Sequence, residues 1–280
     1  MVKMSEGFYK DILKKLASDE SETKSWTKIK RELAQKYKLS DIPTNINILL
    51  NIPVEKIPLF RKKLLTKPTR TMSGVSPVAI MTKPDRCPHG KCTFCPGGIN
   101  SPWGDVPQSY TGHEPATMRG MRNDYDAYLQ VFNRLEQYVL LGQTFDKIEI
   151  IVMGGTFTAT DKDYQEEYIK DTFQGLNDFS ELFVDGNGDL NYTKLKEVFQ
   201  LPGGIYDQDR INSVKKTLLE FKNRKKTTLE QEQNINENKS KVKCVALCIE
   251  TKPDWGLLDH GNRMLRQGCT RVELGIQSVY

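Results

Sequence analysis

The chain has 280 residues, 38% of them hydrophobic, enough to bury a sizeable core in one large domain or two smaller ones. Lys3, Lys10, Lys14 and Lys15 interrupt any apolar run near Met1, and no stretch approaches the ~18 apolar residues of a membrane span, so a soluble protein without an export signal is expected. Six cysteines in such a chain point to a reducing cytoplasm, with thiols that hold metal or are buried as small hydrophobes. The net charge of +5 is unevenly spread: residues 1–70 carry 13 Lys and 3 Arg against 8 Asp and Glu, a balance of +8. A basic, helix-forming leader on a slightly acidic body suits an electrostatic grip on nucleic acid. A solvated lysine face on an ordinary helical domain is the plainer alternative.

In chain order, Phe8, Ile12, Leu13 and Leu16 recur at helical spacing, as do Trp26, Ile29, Leu33 and Tyr37, so residues 6–39 read as two helices joined by a polar turn over 18–25. Ile42-Pro43 and Ile52-Pro53 punctuate a short helical piece, and Ile57-Pro58 opens another that stops before Lys67-Pro68. A domain boundary near residue 70 follows. Val75 to Met81 is a short apolar run with the character of a strand. It leads into Lys83-Pro-Asp-Arg-Cys-Pro-His-Gly-Lys-Cys-Thr-Phe-Cys-Pro-Gly-Gly, which packs Cys87, Cys92 and Cys95 into nine residues of Pro- and Gly-broken loop. Thiolates are metal ligands, and short spacers gather several of them round one centre. A structural zinc site wants four ligands, here the three thiols with His89 or a distant fourth group; a four-iron four-sulfur (4Fe-4S) cluster held by three leaves one iron open. The spacing alone leaves both readings standing.

Residues 108–120 are too rich in Gly, Pro and polar residues for a regular element and read as a long functional loop. A helix follows with Tyr125, Tyr128, Val131, Phe132, Leu135, Tyr138 and Val139 on one face and Gly142 at its end. Lys147 to Met153 is a second strand, closed by Gly154-Gly155. Thr160 is placed to cap the next helix, with Gly175 past its end. From 176 to 243 the pattern weakens into a helical, partly low-complexity insertion, whose tract from Phe221 to Lys243 has no apolar face and reads as exposed or disordered. Cys244 to Ile249 is a third strand, Leu257 to Gln267 a helix, and Arg271 to Ile276 a fourth strand. The alternation is that of an α/β protein whose parallel sheet curls into a partial (β/α) barrel, preceded by a small α-helical domain. A fourth strand with no neighbour leaves an open sheet edge, which is expected to be covered by more chain than the 280 residues supply. Cys244, Cys248 and Cys269 lack ligand spacing and read as buried hydrophobes, and His260 as a helix-surface residue.

The order strand, three-cysteine loop, helix, strand, Gly-Gly resembles radical S-adenosylmethionine (SAM) enzymes, although the x4 spacer is one residue longer than that superfamily's commonest. Within it, Met81-Thr-Lys-Pro-Asp-Arg-Cys-Pro-His, Cys92-Thr-Phe-Cys-Pro-Gly-Gly, Gln108-Ser-Tyr-Thr-Gly-His-Glu-Pro, Ile151-Val-Met-Gly-Gly-Thr-Phe, Ile249-Glu-Thr-Lys-Pro-Asp and Gly268-Cys-Thr-Arg-Val-Glu-Leu-Gly-Ile-Gln-Ser-Val-Tyr together resemble the archaeal type of the Elongator catalytic-subunit family. The resemblance runs over most of residues 70–280 and leaves the insertion unassigned. It implies a radical SAM barrel joined, in the family, to an acetyltransferase domain this chain lacks. It also implies transfer RNA (tRNA) as substrate, carboxymethyl-type modification of the wobble uridine using acetyl-CoA, and accessory Elongator subunits as partners.

By resemblance, Cys87, Cys92 and Cys95 hold the 4Fe-4S cluster, and Gly154 and Gly155 let backbone approach SAM, a simple strand-end turn being their plainer role. Glu250 and Gln277, ending strands three and four, are candidates for hydrogen bonds to the ribose or methionyl group, against a polar barrel rim. Lys83, Arg86, Tyr110 and His113 flank the loop and are RNA-binding candidates, against mere loop packing. The rival readings are another radical SAM tRNA-modifying enzyme, such as a methylthiolating one, and a non-catalytic zinc-stabilised RNA-binding module.

Overall fold

A computed structural model of the chain describes residues 6–18, 25–204 and 207–277. Most of the 18–25 turn lies outside the described residues. Two amphipathic helices open the fold, α1 (Glu6–Ala17) and α2 (Trp26–Lys36). Their apolar stripes bury Phe8, Ile12, Leu16, Ile29 and Leu33, while Leu13, Trp26 and Tyr37 pack at the margin. Asp11 on α1 accepts from Lys36 (2.6 Å) and the Tyr37 hydroxyl (2.8 Å). Two shorter helices follow, α3 (Asn45–Asn51), capped by the Thr44 hydroxyl, and α4 (Ile57–Phe60), which carries Pro58 in its first turn where a missing N–H is harmless.

This helical segment is tied to the rest by hydrogen bonds as well as by apolar contact. Arg61 donates to the carbonyls of Gly142 and Gln143, Gln143 returns a bond to Thr66 O, and Lys196 reaches Leu50 O. One hydrophobic core runs from Phe8 to Cys269.

The sheet contains β1 (Ser76–Met81), β2 (Lys147–Met153), β3 (Lys243–Thr251) and β4 (Arg271–Leu274), all parallel and in sequential order. Helices lie between consecutive strands: α5 (Pro115–Arg122) and α6 (Ala127–Leu140) after β1, and α11 (Leu258–Arg266) before β4. In β2, Ile148, Ile150 and Val152 are buried and their alternate neighbours are not, so the helices cover one face and leave the other more open. That one-sided cover makes the sheet a sector of a (β/α) barrel rather than a doubly wound sheet. At the β4 edge all four residues are exposed.

Three expectations need correction. The stretch 108–120 is loop only as far as Glu114; Pro115 then starts α5, because proline is pre-organised for a first helical turn. The helix after β2, α7 (Lys162–Phe183), is capped by Asp161 rather than Thr160, and it runs through Gly175 for 22 residues. Gly175 is a packing site rather than a stop: a Cβ there would lie 3.2 Å from Val131 Cβ on α6. The two helices share an aromatic seam of Tyr128, Phe132, Phe179 and Phe183.

The third correction concerns 176–243. Beyond the end of α7 come α8 (Tyr192–Val198), α9 (Gln208–Asn223) and α10 (Leu229–Asn238), so the tract expected to be exposed or disordered is mostly helix. A capping box between Thr228 and Gln231 starts α10. Its inward face is polar: Asn236 donates to Asn177 Oδ1 (2.8 Å) and to Val242 O, and Asn177 donates to Glu232 (2.7 Å). Asn236 Oδ1 accepts from the N–H of Cys244, tying α10 to the start of β3.

Charge fixes α9 in the same manner. Lys222 lies 2.6 Å from both Asp126, the N-cap of α6, and Asp171 on α7, and is 15% exposed. Burial works against its charge, but the two carboxylates outweigh that and raise its pKa. Replacing Lys222 with Met is expected to leave half-buried Asp126 without its cation and buried Asp171 with Lys170 alone, and to cost about 3 kcal/mol in urea denaturation, the low end for breaking a buried pair. A loss below about 0.5 kcal/mol would show that the Lys222 pairs do not hold α9.

Candidate active site

All three cysteines of the loop after β1 face one cavity of about 320 Å³. The remaining walls are the carboxyl ends of the other strands: Gly155 and Thr156 after β2, Glu250, Thr251 and Lys252 at the end of β3, and Glu273, Leu274, Gly275 and Gln277 on and after β4. Gln108, Ser109 and Tyr110 close the side, and His89 and Phe94 lie at the loop. Parallel α/β folds place ligands at this end, where strands stop together and loops begin.

Each sulfur has its own contact. Cys87 Sγ lies 3.4 Å from the Thr156 hydroxyl, Cys92 Sγ 3.4 Å from His89 Nε2, and buried Cys95 accepts the N–H of Ser109 at 3.2 Å. Burial pushes the Cys87 thiol pKa up; the Thr156 hydroxyl opposes this, and the nearby sulfurs of Cys95 and Cys92 add to it. All three are free thiols. Among the described residues, no three His, Cys, Asp or Glu side chains converge on a single-ion site. The three thiols line one cavity wall, and soft thiol donors fit an iron-sulfur group as they also fit zinc.

The two glycines ending β2 have different duties. Both have positive φ, 131° at Gly154 and 94° at Gly155. A Cβ on Gly154 would fall 2.0 Å from Thr82 Oγ1, so its bareness serves the contact between the ends of β1 and β2, and it does not line the cavity. Gly155 does line it, 3.6 Å from Cys87 Sγ at the position a Cβ would take.

Of the other expected residues, Glu250, Gln277 and Tyr110 come together on the cavity. The Tyr110 hydroxyl donates to Glu250 Oε2 at 3.1 Å, linking the loop to the sheet. Burial raises the Glu250 carboxyl pKa, the Tyr110 bond opposes this, and the charge of Glu273 adds to it. Burial, then Glu250, drive the Tyr110 phenol well up. Lys83, Arg86 and His113 are exposed and outside the cavity wall. The Lys83 ammonium sits 4.4 Å over the Tyr164 ring, and His113 meets Trp103 edge-on at 5.6 Å. Cys248 and Cys269 are buried, as expected for small hydrophobes, and Cys244 is half-buried. His260 is not a free surface residue, because its ring packs on Trp255 at 5.2 Å.

Sequence reasoning missed Gln108, Ser109, Thr156, Lys252 and Glu273. For Glu273 a signal existed: Arg271 and Glu273 alternate with the period of a strand and so share a face of β4. Glu273 is the register partner of Glu250, and Arg271 bonds both Glu273 (3.0 Å) and Glu149 on β2 (2.9 Å).

Glu114 fixes the loop that carries Tyr110. One carboxylate oxygen accepts from the N–H (2.9 Å) and hydroxyl (2.8 Å) of Thr111, the other from the N–H of Gly112 and the hydroxyl of Thr117. Burial alone would raise its pKa, but bonds from Thr111, its own N–H and Thr117 hold it at about 2. A folded pKa below the unfolded value of ~4.3 adds stability that is complete above that value and lost as pH falls toward 2. Glu114→Gln is therefore expected to cost about 1–3 kcal/mol at pH 7 and to flatten the pH dependence between 5 and 2, read by thermal unfolding. An unchanged slope in the variant would remove Glu114 as its source.

Residues 6–72 match a family model described as the ELP3 N-terminal domain. The chain is 40% identical to a tRNA uridine(34) acetyltransferase of Methanocaldococcus infernus, over 99% of this chain and 44% of that one. To the enzyme of the same description from Methanocaldococcus jannaschii it is 43% identical, over 85% and 36%. To Elongator complex protein 3 of Homo sapiens it is 34% identical, over 96% and 42%. A solved structure of Methanocaldococcus infernus Elp3 lacking residues 1–46 aligns with a TM-score of 0.44 at 30% identity, covering 74% of this chain and 30% of that one. The chain thus spans less than half the length of the curated relatives it matches. With identity of this order held along nearly its whole length, the chain belongs to the Elongator catalytic-subunit family, whose amino-terminal part it resembles.

Proposed function

We propose that this chain is the radical SAM part of a tRNA-modifying enzyme acting on the wobble uridine, position 34, with acetyl-CoA as co-substrate of the whole protein. The observation carrying this reading is the meeting of three free thiols, bare Gly155 and the strand-end groups Glu250 and Gln277 on one cavity at the carboxyl end of a parallel sheet. Cys87, Cys92 and Cys95 would hold a 4Fe-4S cluster, and the donor chemistry fits. When bound, the cluster and SAM supply reductive cleavage of the sulfonium to a 5'-deoxyadenosyl radical, chemistry no side chain offers.

The chain's residues position and shield. The N–H of Ser109 on Cys95 and the hydroxyl of Thr156 beside Cys87 stabilise thiolate charge, the kind of outer contact that tunes iron-sulfur centres. Gly155 brings main chain to the cavity without a side chain between. Glu250, held by Tyr110, and Gln277 offer hydrogen-bonding groups for the polar part of SAM. Lys83, Arg86, Tyr110 and His113 remain proposed RNA contacts, with the basic helices α1 and α2 as an outer grip. On those helices Lys10, Lys14, Lys28 and Arg31 are exposed; Asp11 engages Lys36 at 2.6 Å and lies 3.9 Å from Lys14. Partner subunits of Elongator type and a cytoplasmic location belong to the same proposal.

Anaerobic reconstitution of the 280-residue chain should give brown protein with about four irons per chain. With reductant it should form 5'-deoxyadenosine from SAM, and the amount should change when tRNA is added. Cys92→Ala should abolish iron binding. Colourless, zinc-loaded protein, or full iron content in Cys92→Ala, refutes the reading. Neutralising Lys10, Lys14, Lys28 and Arg31 together is expected to weaken tRNA binding and to flatten its salt dependence by about 0.9 for each phosphate that is no longer neutralised. Unchanged affinity would remove the basic helices from the RNA interface.

A further inference from the structure

On the cysteine loop and the turn that follows it the protein exposes two large aromatic side chains outside its hydrophobic core. Phe94, between Cys92 and Cys95, lines the cavity and is 61% exposed. Trp103, 52% exposed, stands on the turn Ser101–Gly104, which is closed by Gly104 N–H on Ser101 O and by the Ser101 hydroxyl on Gly104 O. Its ring meets exposed His113 edge-on.

Both segments are built onto the cysteine loop and are not free arms. Val106 N–H donates to Gly98 O, Ser109 N–H to Cys95 Sγ, and a Cβ on Gly97 would sit 1.5 Å from Tyr110 O. The Glu114 clamp fixes the residues on either side of His113. The rings are therefore presented on a stiff frame, with exposed Arg86 and Lys91 on the same loop. A protein interface wants a continuous apolar patch with few charges at its centre. Separate aromatic faces among cations instead suit unpaired nucleobases with their phosphates, because every base has a face to stack and every linkage a charge to neutralise. Paired bases in an A-form duplex are out of reach of such rings.

We propose that Phe94 and the Trp103–His113 pair form a stacking platform for unpaired bases of an RNA loop, holding the strand so that one base enters the cavity. This rests on the tRNA-modifying reading above and assigns the residues that would receive the loop.

The test is the affinity of the 280-residue chain for a fluorescein-labelled anticodon stem-loop and for a blunt RNA duplex of equal length. Wild type should prefer the stem-loop, with quenching of tryptophan fluorescence that disappears in Trp103→Ala. Trp103→Ala and Phe94→Ala should each weaken stem-loop binding roughly 5- to 100-fold, leaving duplex affinity and the salt slope unchanged. Trp103→Phe should recover most of the loss, whereas Lys91→Gln should lower the salt slope by about 1. Stem-loop affinity unaltered in both alanine variants, equal binding of duplex and stem-loop, or no RNA binding by wild type overturns the platform. Formation of 5'-deoxyadenosine, measured on the same preparations, separates the two proposals. If it persists while ring removal has no effect, only the platform fails; if it is absent while binding depends on the rings, only the radical reading fails.

Discussion

The site depends on glycines that let neighbouring chain come closer than a Cβ would permit. Gly154 meets Thr82 where β1 and β2 end, and Gly97 lies against the carbonyl of Tyr110 where the cysteine loop meets the loop after it. At Gly98 the space is taken by a side chain, with Gln108 Oε1 2.4 Å from the position of a Cβ. These approaches let three chain segments with little regular structure stack over the ends of four strands. In a loop-built site such contacts replace the ladder hydrogen bonds that fix strands, and Thr82 N–H on Met153 O is the last ladder-like bond before the loop departs. The thiols therefore stand on main chain whose course is set by sterics, and Cys95 is further tied by Ser109.

What could be read from sequence follows where apolar periodicity was the force at work. β2 and the amino-terminal helices came out nearly to the residue because their burial is apolar and one-sided: Ile148, Ile150 and Val152, or Phe8, Ile12 and Leu16. α10 was illegible for the opposite reason. It is buried through amides and a carboxylate that satisfy one another, Asn177, Glu232 and Asn236, and a pattern search for apolar stripes sees only solvent-facing residues there. Gly175 misled for a related reason, since in a helix-helix contact a missing Cβ is a fit to the neighbour and not a terminator.

The candidate site was legible as a list of motifs and less so as a division of labour. Cysteine spacing and strand-end positions pointed to Cys87, Cys92, Cys95, Gly155, Glu250 and Gln277, which the fold brings to one wall. Gly154 belongs to strand-end packing, and Lys83, Arg86 and His113 stand outside the cavity. Chain distance could not reveal that Tyr110 reaches Glu250 across 140 residues, nor that Ser109, at φ 73°, turns its N–H onto a sulfur. Both are tertiary facts set by the loop between residues 96 and 114.

The charge content of the cavity limits what can occupy it. Three thiols and the neighbouring carboxylates of Glu250 and Glu273 line it, against the ammonium of Lys252 and the ring of His89. Burial raises the pKa of both Cys87 and Glu250, so each gives up its proton less readily than the same group in water. An occupant carrying positive charge reverses that balance: thiols that become ligands release their protons, and a carboxylate beside a cation ionises without penalty. An anionic occupant would meet repulsion from any ionised carboxylate or thiolate of the lining, with the Lys252 ammonium as its counter-charge. The carboxylates and thiols at the strand ends thus favour a cationic group over an anionic one, and thiols that bind a metal do so as thiolates.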